Sequence, residues 1–145
     1  MKRILSIVIT AILAGAFAFT GLAPASASPR TGDLHITKNC DGFAGEAGGS
    51  CMIMTSNLKM IQPGSRVIYR DALVYPVLDT DIVLYTGPGN SAFGHVVLNI
   101  ATGIGTVEFN GGTGQFRHFH AEADVSYITG NDWAWDGTYS FSPND

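Results

Sequence analysis

Short runs of β-branched and aromatic residues, separated by glycine, proline, asparagine and aspartate, dominate residues 28–145. This part of the chain holds 16 of its 18 glycines. No stretch of it repeats apolar residues at the three-and-four spacing of an amphipathic helix over two turns. Short apolar runs between turn-forming residues are typical of antiparallel strands, so the pattern predicts an all-β fold.

The apolar runs predict eight strands. They cover residues 34–37, 52–60, 66–77 with a break near Asp71, 81–86, 93–101, 104–109, 116–128 and 133–141. Turns are expected at 62–65, 87–90, 102–103, 110–114 and 130–132. Eight strands in one small domain fit a barrel or a sandwich. We favour a small closed antiparallel β-barrel of about eight strands, because closure leaves no unpaired strand edge.

Alternation within the last two predicted strands indicates which side chains face the core. One side of 133–141 carries an aromatic set: Trp133, Trp135, Tyr139 and Phe141. One side of 116–128 is apolar: Phe119, Ala121, Ala123, Val125 and Tyr127. The opposite side of that strand is polar: His118, His120, Glu122, Asp124 and Ser126. Burying unpaired charge is costly, so we expect the aromatic and apolar sets inside and the polar set in solvent.

The first 27 residues are typical of a bacterial secretory signal peptide. Lys2 and Arg3 precede a hydrophobic stretch over residues 4–19, and small residues end the segment at 25–27. We expect cleavage after Ala27, which leaves one barrel domain over residues 28–145 in an extracytoplasmic compartment. The hydrophobic stretch is shorter than the ~20 residues of a membrane span, and no cysteine follows the cut, so no stable membrane anchor is expected.

The charge of the chain argues against nucleic acid as a partner. The chain has 8 basic and 12 acidic residues, and loss of Lys2 and Arg3 would leave a net charge of −6. No run of basic residues is present. Neither nucleic acid nor an anionic membrane surface is therefore an expected partner.

Cys40 and Cys51 are the only cysteines of the chain. In an oxidising compartment two thiols at this spacing most simply form one disulfide. The ten residues between them include four glycines, which makes the loop flexible enough to close. Such a bond is expected to stabilise the fold by about 2–3 kcal/mol. The alternative is a metal or catalytic thiol pair, which would more often show a CxxC spacing or a flanking histidine.

The C-terminal half carries one pattern of a known family. Residues 103–109 run into the segment Gly111-Gly112-Thr113-Gly114-Gln115-Phe116, with further elements at 119–121 and 135–141. A strand that ends in GGTGxF resembles the hairpin of dirigent proteins and of secreted bacterial allene-oxide-cyclase-like barrels, and the resemblance spans about residues 80–141. In this hairpin we expect the three glycines to allow positive φ or close backbone approach. Thr113 is expected to bond its own backbone, and Phe116 to tuck beneath the hairpin.

The resemblance implies an eight-stranded barrel with a central cavity. In this superfamily the barrel guides cyclisation or coupling of hydrophobic substrates, largely by shape. No catalytic residue is carried over, because the acidic and aromatic pocket positions of the family have no matching motif here. The candidate pocket residues are His95, Tyr127, Trp135 and Tyr139.

The remaining candidates for chemistry each have a structural alternative. His118-x-His120-x-Glu122 would place three potential ligands on one strand face, and it resembles the start of a cupin metal motif. The second cupin motif is missing, so we expect a solvated polar face and no metal. His95, in an apolar run, is expected to be a hydrogen-bonded histidine of the core or pocket. Asp79 and Asp81 are expected to serve a turn and the entry of a strand.

The sequence therefore predicts an exported β-barrel protein that binds a small apolar ligand in or on the barrel, without a cofactor. Two alternatives stay open at this point. One is a cyclase-type enzyme that steers an apolar substrate within the barrel, and the other is a cupin-like metal protein. No feature of the sequence sets the oligomeric state.

Overall fold

Eight strands follow one another in the computed structural model, which describes residues 30–142. They are β1 (Thr31–Asn39), β2 (Ser50–Ser56), β3 (Arg66–Tyr69), β4 (Val77–Gly87), β5 (Asn90–Asn99), β6 (Ile104–Thr113), β7 (Phe119–Thr129) and β8 (Asp132–Phe141). Each strand pairs antiparallel with the next, and β8 pairs with β1 from Thr31↔Ser140 to Asn39↔Asp132. The prediction of a closed eight-stranded antiparallel barrel is confirmed. The predicted signal peptide, residues 1–27, lies outside the described residues.

Several predicted strand ends were wrong. The predicted break near Asp71 is confirmed, since β3 ends at Tyr69 and the Asp71 amide donates to the Thr80 hydroxyl across the connection, at 2.8 Å. The strand predicted to follow the break, up to residue 77, was wrong, because β4 begins only at Val77. The segment 52–60 ends at Ser56, whose hydroxyl accepts a hydrogen bond from the Leu58 amide and turns the chain. Side-chain bonds of this kind satisfy backbone groups that a longer strand would otherwise pair.

The segment 110–114 was also predicted as a turn, but it belongs largely to β6. That strand continues to Thr113, and a single 3₁₀ turn over Gly114–Phe116 follows it. Gly112 pairs with Ala92 of β5, and the Thr113 hydroxyl accepts a hydrogen bond from the Ser91 amide at 3.1 Å. Thr113 thus bonds the neighbouring strand and not its own backbone, because the glycines let β5 approach closely.

The two ends of the barrel differ. In a barrel of sequential antiparallel strands, alternate connections lie at the same end. The connections 40–49, 70–76, 100–103 and 130–131 therefore share one end, which we call the open end. The connections 57–65, 88–89 and 114–118 share the other, which we call the closed end.

Aromatic rings fill the barrel towards the closed end. Phe119 lies 5.3 Å, between ring centroids, from both Phe116 and Phe141. Phe109 connects this group to Trp135, with centroids 5.6 Å apart. All of these side chains except Phe141 are fully buried. The central cavity implied by the family resemblance therefore does not run through this half of the barrel.

The predicted faces of β7 and β8 are largely confirmed. Phe119, Ala121, Ala123, Val125, Trp135 and Tyr139 are buried, whereas Glu122 and Asp124 are exposed. Tyr127 is the exception: half of its surface is exposed, because the strand pairing shifts between Tyr127 and Thr129 near the open end. His118 was also misplaced, since it precedes β7 and has a left-handed φ of 64°.

We predict that Gly112→Val and Gly114→Val each lower the free energy of unfolding by roughly 1–3 kcal/mol. A Cβ at Gly112 would overlap the Ser91 carbonyl oxygen. Gly114 has a left-handed φ of 58°, and a Cβ there would overlap the Asn90 side chain. Gly42→Val is the control, because the nearest atom to a Cβ there is the Ser50 carbonyl oxygen at 3.9 Å. Denaturant unfolding of the three variants checks the prediction. Equal midpoints for all three would contradict it.

Candidate functional site

A cavity of about 550 Å³ lies at the open end, and all four connections of that end contribute to its wall. Its buried lining residues are Lys38, Tyr69, Leu78 and Leu98. Half-buried Phe43, Leu73, Ile100 and Trp133 continue the wall, and exposed Thr102, Tyr127, Gly130 and Asn131 form the rim. The lining is apolar and aromatic for the most part, with Lys38 as its only charged residue among those described.

Lys38 points into the barrel because it lies on the inward-facing side of β1. Leu34 and Ile36, two and four residues earlier, are fully buried, and Lys38 follows them with 2% of its surface exposed. Its register partners are Ile53 on β2 and Trp133 on β8. The sheet closure therefore places a lysine side chain inside the barrel, where lysine is rarely found without a charged partner.

The surroundings of the Lys38 amine are polar at one point and aromatic elsewhere. Nζ lies 2.6 Å from the Tyr69 hydroxyl oxygen. It also lies 4.5 Å from the ring centroid of Trp135, a distance at which an ammonium interacts with a ring face. None of these groups is anionic. Burial accordingly lowers the pKa of Lys38 to about 7, so that the neutral amine and the ammonium are both populated near neutral pH.

Tyr69 holds its proton over the whole range in which the lysine titrates. Burial raises the pKa of the Tyr69 phenol above its ordinary value. The hydroxyl also lies 3.3 Å from Sγ of Cys51, and it is the donor in that contact because a disulfide sulfur carries no proton. The pair therefore offers a neutral amine next to a phenolic proton.

The disulfide loop forms one wall of the cavity. The predicted bond between Cys40 and Cys51 is confirmed. Within the loop, Phe43 stacks on Tyr69 with ring centroids 4.5 Å apart. The backbone of Gly48 and Gly49 exchanges hydrogen bonds with that of Tyr69, at 2.7 and 2.9 Å. The bond thus fixes a flexible, glycine-rich segment against the residue that contacts the Lys38 amine.

His95 lies on the outer face of β5. Its apolar neighbours in the sequence had suggested a position in the core or the cavity, and that expectation was wrong. Phe93 and Val97 lie on the same side of β5 as His95 and are exposed. Because both sides of this strand carry apolar residues, the sequence did not show which side faces inward. Its Nε2 lies 2.8 Å from Asp79, and its Nδ1 lies 2.9 Å from Asp81. The two aspartates lie within β4, so the expectation that they serve a turn was wrong.

This surface cluster perturbs two pKa values. The hydrogen bond from His95, followed by that from Arg70 at 2.9 Å, lowers the pKa of Asp81. The hydrogen bond to Asp81 raises the pKa of His95, and Asp79 adds to the effect. The cluster is charge-paired and solvated, so its first role is to hold β4 and β5 together on the outer surface.

The remaining sequence candidates do not converge. Tyr127 reaches the cavity rim, whereas Trp135 lies buried beneath the Lys38 amine and Tyr139 packs on Phe141 away from the cavity. His118 does not share a strand face with His120 and Glu122. In residues 30–142 no group of three or more histidine, cysteine or acidic side chains is arranged to hold a metal ion.

Sequence reasoning missed Lys38 and Tyr69. The predicted first strand stopped at residue 37, one position short of the lysine. Continuing the alternation of Leu34 and Ile36 by two residues would have placed Lys38 inside. In β3, Val67 and Tyr69 share the buried phase in the same way.

Comparisons with protein-family models, curated proteins and solved structures found no match to this chain. The resemblance to dirigent and allene-oxide-cyclase-like barrels therefore stays a prediction. Among residues 30–142 no helix is long and apolar enough to cross a membrane.

We predict that Lys38→Met stabilises the protein by about 2–4 kcal/mol at pH 6, because it removes the cost of burying an amine of lowered pKa. A basic group whose pKa is lower in the folded state than in the unfolded state destabilises the fold most at low pH. The gain from methionine should therefore be largest below pH ~7 and shrink as the pH rises towards ~10.5, the unfolded pKa. Unfolding curves of both proteins from pH 5 to 9.5 check this. A gain that is constant with pH would contradict it.

We predict a second pH dependence at His95. Its contribution is fully present below its unfolded pKa of about 6.5 and is lost as the pH rises through the raised folded pKa. The contribution of Asp81 is present above its unfolded pKa of about 3.9 and is lost at lower pH. His95→Gln should therefore lower the melting temperature most between pH ~4 and ~6.5. Val97→Gln, an exposed neighbour on the same strand, is the control and should show no such window.

Proposed function

We propose that the protein is an exported binding protein that takes up one small, mainly apolar molecule in the cavity at the open end of the barrel. The observation that carries the proposal is the cavity itself. Its volume of about 550 Å³ lies within the range of small-molecule sites, and its wall combines apolar side chains with few polar groups. The disulfide supports an oxidising, extracytoplasmic setting.

The surroundings of the cavity mouth support an apolar ligand. Val74 and Tyr75, in the connection 70–76 at the open end, expose 77% and 72% of their surfaces. Tyr127 exposes half of its surface at the rim and packs edge-on against Trp133, with centroids 5.3 Å apart. These three exposed side chains add apolar surface beside the mouth that a bound apolar molecule could cover.

A second candidate, an enzyme acting on an apolar substrate within the barrel, is favoured by the polar pair in the cavity wall. Lys38 and Tyr69 provide a base and an acid at 2.6 Å from each other. A cavity that bound only neutral apolar molecules would gain nothing from a costly buried amine. The binding proposal and this candidate share the same cavity and the same first experiment.

We expect N-phenyl-1-naphthylamine, a neutral apolar fluorophore, to bind with a stoichiometry of one and to gain fluorescence. Ala101→Trp should weaken this binding by about tenfold, because Ala101 is an exposed lining residue in the connection 100–103 and an indole there would narrow the mouth of the cavity. Ala47→Trp is the matched control, since Ala47 is exposed in the disulfide loop and does not line the cavity. Titrations of the three proteins provide the measurement.

Two results would overturn the proposal. One is no saturable binding to the wild-type protein. The other is equal affinity in Ala101→Trp and Ala47→Trp, which would locate the probe on the outer surface near exposed Phe93 and Val97.

A further inference from the structure

The buried amine has no assigned purpose in a site that only binds. We propose that Lys38 is a nucleophile that captures an apolar aldehyde or ketone in this cavity as an imine. The inference rests on the proposed binding function and names the chemical class of its ligand.

The position of the amine carries the inference. Lys38 lines the cavity with 98% of its surface removed from solvent, and the described lining residues include no Asp, Glu, His or Arg. The contacts of Nζ are the hydroxyl of Tyr69 and the ring face of Trp135. With no anion to hold the ammonium, the neutral amine is populated far more than in an exposed lysine, and it is the form that attacks carbonyl carbon. Lysines desolvated in apolar pockets are activated in this way.

The same geometry supplies the proton transfers. The Nζ lone pair attacks the carbonyl carbon and forms a C–N bond, while the carbonyl oxygen takes a proton from the Tyr69 hydroxyl. The nitrogen returns a proton to Tyr69, which leaves a neutral carbinolamine. A second proton from Tyr69 lets the hydroxyl leave as water, and the nitrogen gives up its remaining proton to Tyr69 as the C=N bond forms. Amine and carbonyl thus yield imine and water, with no oxidant, reductant or net proton change.

An ion pair with an apolar carboxylate is the competing use of Lys38. It requires the ammonium, the form that burial among neutral groups disfavours. The cavity wall also offers a carboxylate no second cation among the described residues. These observations favour the carbonyl, and the experiment separates the two.

The test is reductive trapping of decanal with sodium cyanoborohydride at about pH 6.5, where ordinary lysines are almost fully protonated. The full-length chain contains three lysines, Lys2, Lys38 and Lys59, and Lys59 is exposed. We expect peptide mapping to find one decyl group on Lys38 at a rate at least about tenfold above that of Lys59. Lys59→Arg should be labelled as the wild type is, and Lys38→Met should lose the fast label.

Tyr69→Phe tests the proton transfers. It should slow the labelling of Lys38 by about tenfold or more, because a positioned acid contributes at least that much. Circular dichroism verifies that each variant is folded.

Three results would overturn the inference. Lys38 and Lys59 could be labelled at equal rates. Lys38 could stay unlabelled while the fluorophore binds, which would leave the proposed binding function intact. Decanoate could displace the fluorophore from the wild type and not from Lys38→Met, with no covalent label, which would assign an ion pair. Failure of the fluorophore to bind, with Lys38 labelled, would instead remove the binding proposal alone.

Discussion

The pairing of β8 with β1 is the constraint on which the rest of the structure depends. Nine consecutive register pairs, from Thr31↔Ser140 to Asn39↔Asp132, join the first and last strands. Because they close the sheet, every strand turns one face towards the interior of the barrel. For β1 that face carries Leu34, Ile36 and Lys38 in succession. Closure of the barrel therefore buries a lysine side chain together with the apolar core.

The barrel accommodates that lysine by dividing its interior. Towards the closed end, phenylalanine rings contact one another and fill the space, and burial of this kind stabilises by roughly 1.5–3 kcal/mol per side chain. Towards the open end, the interior is incompletely filled, and Lys38 lies at the boundary between the two parts, over the ring of Trp135. The stability of one half therefore offsets the cost of a polar group in the other.

The alternation of apolar and polar residues predicted much of the barrel and little of the cavity. It placed β7 and β8 correctly because each of these strands carries one clearly apolar side. It failed at Lys38 because a cation ends the apolar run, and at His95 because Phe93 and Val97 make both sides of β5 apolar. The cavity wall combines residues 43–45, 73, 100–103 and 130–131, which four separate connections bring together. No local sequence pattern predicts that these four connections lie close together, because their proximity follows from barrel closure and strand length.

Charge on the two surfaces of the barrel follows opposite rules. On the outer face, acidic side chains lie directly opposite one another in the Glu108↔Glu122 and Asp124↔Asp136 pairs, and water screens them. On the inner face of the described barrel, burial lowers the pKa of the Lys38 amine, whose hydrogen-bond partner is a phenol, to about 7. A titratable group acquires unusual reactivity where solvent is excluded and a proton donor is fixed nearby. In this barrel those two conditions meet at Lys38 and Tyr69, which is why the chemistry is assigned to the cavity and not to the more numerous charges outside.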